Sequence, residues 1–62
     1  MAGYRKAVEW IAVEDEPDDL DVDVVSGYLT VHMVADLFGK DTATVARAVV
    51  RKRKQLIKEG VL

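Results

Sequence analysis

A chain of 62 residues, half of them apolar, forms one domain at most. It buries only about 60% of its unfolded surface, so its stability has to come from a compact helical core or from association. It contains no cysteine, which excludes disulfide frameworks, thiolate nucleophiles and cysteine zinc sites together.

The formal net charge of −2 conceals a dipole along the sequence. Residues 1–23 hold Arg5 and Lys6 against eight acidic side chains, whereas residues 24–62 hold seven basic side chains against Asp36, Asp41 and Glu59. Such asymmetry points to a nucleic-acid surface near one end, an acidic interaction segment near the other, or simple mutual compensation of the two. The low overall charge argues against indiscriminate DNA binding by the whole surface. No apolar run approaches the roughly 20 residues that span a bilayer, and Met1–Val13 lacks the continuous apolar core of a signal peptide. The expectation is a soluble cytoplasmic protein with no membrane partner.

In "YRKAVEWIAVED" the apolar residues Tyr4, Ala7, Val8, Ile11 and Ala12 recur at i, i+3, i+4, i+7 and i+8, with Arg5, Lys6 and Glu9 on the other side. This predicts an amphipathic helix over about 3–14, packed by one face. Trp10 falls at the margin of that face, a place for core filling or for a partner contact. The helix ends in "EDEPDDLD", where clustered acids and Pro17 oppose continuation and predict an acidic loop over about 15–22. Asp19, Asp21 and Asp23 are each candidates to cap the next helix.

The segment "VDVVSGYLTVHMVADLFG" has three parses. As one helix over about 23–38 it gathers Val24, Tyr28, Val31, Val34, Ala35 and Phe38 on one face, at a cost of about 1 kcal/mol for Gly27. As two pieces it breaks at Ser26-Gly27, and a shorter helix over about 30–38 starts with Thr30 as its cap. A β-hairpin turning at Ser26-Gly27 loses to both, because "VHMVADLF" has helical order. All helical parses agree from Val31 to Phe38.

Gly39 stands where a helix end favours a left-handed residue, so a turn is expected over 39–41, with Asp41 or Thr42 capping a last helix over about 42–59. In that helix Val45, Val49 and Leu56 form one stripe and Ala46, Val50 and Ile57 the next, an arc of about 140° at 100° per residue. A three-helix monomer covers about 100° of such an arc. Val50 and Ile57 are then surplus and are expected, with Trp10, to serve as a protein interface, most simply in a homodimer. Arg47, Arg51, Lys54 and Lys58 line the opposite side. The fold expected is all-α, a compact three-helix domain whose last two helices form a helix-turn-helix-like pair, possible as a dimer.

The stretch "LTVHMVADLFGKDTATVARAV" resembles the helix-turn-helix of excisionase-type and mercury-regulator-type DNA-binding domains. Leu29 and Thr30 match the start of that motif, Val34 and Phe38 its first buried positions, Ala35 the small residue where the helices touch, Gly39 the turn and Val45 the inward residue of the second helix. Lys40 departs from it, at a position that is usually hydrophobic, and only Val61 and Leu62 follow Gly60, too few for the β-hairpin wing of excisionase-type domains. Carried over by position, the resemblance implies DNA-facing roles for Thr42, Ala43, Thr44, Arg47 and Arg51. Arg47 would read a guanine edge or grip a phosphate, Thr42 and Thr44 would bond phosphates, and Ala43 would touch a thymine methyl. Lys54 and Lys58 would add charge. The order of Trp10-Ile11-Ala12 and Val34 through Lys40 also resembles small uncharacterised bacteriophage-encoded proteins, which implies a phage accessory gene in a bacterial host and action by binding.

His32, at i−4 from Asp36, reads as a helix surface pair rather than a ligand or base. With no second His and no Cys, the residues point to no enzymatic activity, no cofactor and no metal. Three functions follow: a DNA-binding regulator of double-stranded DNA through the last helix, a binder of a host protein through acidic residues 14–23 or Trp10, and a structural helical homo-oligomer.

Overall fold

Helix α1, Ala2–Glu14, buries Val8, Ile11 and Ala12 and half-buries Tyr4 and Ala7. Arg5, Lys6 and Glu9 point outward, as the 3.6-residue period requires. The computed structural model describes residues 2–14 and 21–62, and these are all-helical. The acidic loop expected over 15–22 therefore lies outside the described residues except for its last two positions.

Asp21 is the residue that caps the second helix. Its backbone is extended and its carboxylate accepts a 2.7 Å hydrogen bond from the Asp23 N–H, the geometry by which Asp satisfies a free amide at a helix start. Helix α2, Val22–Ser26, is only five residues long. Its Ser26 hydroxyl donates back to the Val22 carbonyl at 2.7 Å, a back-bond that slightly weakens a helix. The Gly27 and Tyr28 amides close on Val24 and Val25, and Tyr28 is extended at φ −69° and ψ 135°.

Among the described residues there are thus four helices where three were expected, and the single helix over 23–38 is not formed. Helix α3 runs Leu29–Phe38 with Tyr28 before it, so Thr30 lies within the first turn and is not the cap. The break also resets the helical phase. Val25 is fully buried and Val24 is 48% exposed, the reverse of what a continuous helix would give.

Gly39 terminates α3 at φ 62° and ψ 38°. The Lys40 N–H reaches the Ala35 carbonyl at 2.8 Å and the Gly39 N–H reaches Asp36 at 3.3 Å, the bond pair of a Schellman cap. Lys40 replaces the usual hydrophobic anchor by laying its ammonium over the Tyr4 ring, 4.8 Å from the centroid; Tyr4 also meets Phe38 edge-on at 5.6 Å. A Cβ at Gly39 would meet nothing within 4 Å, so only the left-handed backbone resists substitution. Gly39→Ala is expected to cost about 1–2 kcal/mol, and Gly39→Asn less, in urea unfolding followed by circular dichroism.

Helix α4, Thr42–Lys58, packs against all three other helices. Val45, Ala46 and Val49 are inaccessible and Val50 and Leu56 nearly so. Val50 is therefore core and not a surplus interface residue: α2 forms a separate piece against α4 and widens the arc that one chain can cover. The Cα extents are 31 × 25 × 15 Å. Two helical layers with axes 8–10 Å apart span about 13–15 Å between outermost Cα atoms, so each helix has a core side and a solvent side.

Candidate nucleic-acid interface

With the core side of α4 fixed by Val45, Val49 and Leu56, the 100° step per residue dictates what faces out. Ala43, Thr44, Arg47, Arg51, Lys54 and Lys58 are all exposed and fall within an arc of about 100°. The four cations occupy the middle 60° or so of it. From Ala43 to Lys58 the strip is about 22 Å long at 1.5 Å per residue. A helix of this width enters the major groove, about 12 Å wide.

Local contacts organise the start of this face. The Arg47 guanidinium lies 3.5 Å from the Thr44 hydroxyl, one turn apart, so the two side chains share one spot on the surface. Thr42 is half-buried, and its hydroxyl sits 3.4 Å from His32 Nδ1. That places Thr42 at the seam between α3 and α4, with His32 facing it across the turn, whereas the sequence suggested Asp36 as the partner of His32. Asp41, at the N-cap of α4, makes no side-chain bond to the helix amides.

The last helix does not spend all its charge outward. The Lys52 ammonium pairs with Glu9 of α1 at 3.4 Å, a half-exposed bridge worth at most about 1 kcal/mol. Arg53 turns inward and donates from Nη1 to the Ala12 carbonyl at 3.1 Å, capping the C-terminal turn of α1, where a cation is favoured. Its Nε is buried and meets no hydrogen-bond partner among the described residues. Arg53→Ala is expected to destabilise by about 1–3 kcal/mol through the lost charged hydrogen bond and the lost packing of its stem. Lys54→Ala, on the exposed side, should leave the melting curve within about 0.5 kcal/mol of the natural protein; differential scanning calorimetry on the pair checks both.

The sequence placed two further basic residues only on the outward side of the first helix, apart from those of the last. Arg5 and Lys6 of α1 line the same groove as Arg51, Lys52 and Gln55, so the cationic surface continues from α4 onto α1. They sit at the opposite end of the chain inside its acidic third, and only the docking of α1 on α4 makes them neighbours. The Trp10 ring is 54% exposed and Ile57 is 46% exposed, in keeping with surface positions. They do not join: Trp10 lines a groove with Met33 and Leu37 of α3, to which Ile57 does not contribute.

No protein-family model, curated protein or solved structure matches this chain. Among the described residues no helix is long and apolar enough to cross a membrane.

Proposed function

We propose that this chain is a small DNA-binding regulatory protein that lays α4 against double-stranded DNA, a role suited to a phage-type accessory protein in the cytoplasm of a bacterial host. The observation that carries the reading is the alignment of Arg47, Arg51, Lys54 and Lys58 on one exposed strip of a helix whose opposite stripe, Val45, Val49 and Leu56, is buried in the core. A strip of cations held on a rigid helix neutralises a row of phosphates and releases their counterions. In this reading Arg47 with Thr44, near the start of the helix, approaches bases, and Arg5 and Lys6 extend the reach along the backbone. The Ala35–Gly39–Val45 core of the helix pair supports the same reading, because it holds α4 at a defined attitude to α3.

Titration of a labelled duplex at 50 and 200 mM salt tests it. Four phosphate contacts make log K fall with log salt at a slope of about −3.6, roughly a hundredfold loss of affinity across that interval. Absence of binding at the lower salt would remove the proposal and leave the two alternatives, a host-protein binder and a structural homo-oligomer.

A further inference from the structure

The solvent side of α3 is apolar where a solvated helix should be polar. Leu29 is 75% exposed, Met33 61% and Leu37 76%, and their spacing of four aligns them along one stripe of the helix. Trp10 of α1, 54% exposed, borders the stripe, and with Thr30, Met33, Val34 and Leu37 it lines an apolar groove of about 290 Å³. None of these residues belongs to the cationic strip of α4. At roughly 200 Å² for a large side chain, the four exposures leave on the order of 500 Å² of apolar surface, near the upper end for a monomer.

We propose that this face binds a second copy of the same chain, with the two α3 helices packed antiparallel about a two-fold axis at Met33. The stripe is self-complementary in the way such an axis demands. Rotation about Met33 brings Leu29 of one copy onto Leu37 of the other and Met33 onto itself. The edge of the stripe carrying His32 and Asp36 returns beside itself with reversed direction, so Asp36 of each copy lies next to His32 of the other. Unlike groups then meet along the rim, and the stripe itself contains no charge to desolvate. Two faces of this size bury about 1,000 Å² in total, the lower bound for a specific interface. The dimer is accordingly expected to dissociate in the micromolar range. It would offer two α4 strips to one duplex, but it does not depend on DNA binding.

Sedimentation velocity over about 1–300 µM protein, without DNA, reads the association directly. The natural chain should pass from monomer to dimer, and emission from its single Trp should shift to the blue as Trp10 is covered. Met33→Glu places two carboxylates on the axis and is expected to weaken association at least about a hundredfold. Because Met33 is exposed, the helical signal of that variant at low concentration should not change. In a chain without cysteine, Met33→Cys should form an intermolecular disulfide under mild oxidation far faster than Lys58→Cys. A natural chain that stays monomeric to 300 µM, or a Met33→Glu variant that dimerises as tightly as the parent, overturns the proposal.

Discussion

Changing Arg47 and Arg51 together to Ala should lower duplex affinity by about 2 kcal/mol or more, roughly 30-fold, and reduce the salt slope by about 2. Both side chains are exposed and neither takes part in the core, so the melting temperature should stay where it was. That pairing of a large binding effect with no stability effect distinguishes a contact surface from a structural one. The single changes carry further information. A base contact by Arg47 costs about 1–3 kcal/mol on the preferred sequence only, whereas loss of a phosphate contact at Lys54 or Lys58 weakens binding to every sequence alike. Fluorescence anisotropy with one specific and one scrambled duplex separates the two patterns. Unchanged affinity and slope in the double variant would sink the assignment of α4 as the DNA-facing helix.

Ile11→Ala should be the most damaging single truncation. Ile11 is completely buried in the cluster that joins α1 to α3 and α4, among Val8, Ala12, Val31, Val34, Val45 and Val49. Removing its three outer carbons costs about 2–5 kcal/mol, because transfer free energy is lost and the cavity closes only in part. A domain of this length has a total stability of about 3–9 kcal/mol, so much of it disappears. At about 4–8 °C per kcal/mol for a small domain, the melting temperature should drop by 10 °C or more. A fall under about 1 kcal/mol in urea unfolding would mean that the site relaxes around the gap or that α1 is docked by something other than this cluster. Trp10→Ala, one position away and half out of the core, is the natural control and should cost far less.

Much of this molecule was legible one helix at a time. The faces of α1 and α4 followed from apolar spacing because each contains enough charge to mark its wet side: Arg5, Lys6 and Glu9 on one, Arg47, Arg51, Lys54 and Lys58 on the other. Gly39 declared a left-handed turn because few other residues adopt it cheaply. The middle segment resisted for the converse reason. It is apolar on nearly every side, so a period could be drawn through it in several phases, and the difference between one helix and two came down to about 1 kcal/mol at Gly27. From Val31 to Phe38 the inward face was legible all the same, which left Leu29, Met33 and Leu37 off that face; what the spacing did not show is that no described part of the chain covers them.

The sequence by itself determined the helical class, the inward and outward sides of α1 and α4, the inward side of α3 from Val31 to Phe38, the left-handed stop at Gly39 and the concentration of positive charge on the last helix. These are local properties, carried by spacing, by backbone preference at glycine and by charge within a turn or two. Tertiary structure decided the rest. Docking α2 separately against α4 turned Val25 inward and Val24 outward and took Val50 into the core. Packing α1 on α4 sent Arg53 to the end of α1, tied Lys52 to Glu9 and brought Arg5 and Lys6 beside Arg51. The two-layer arrangement left one side of α3 with Trp10 at its border and none of the described residues to cover it. Each of these depends on which surfaces compete for a limited core, and that competition joins residues that no short window of sequence contains.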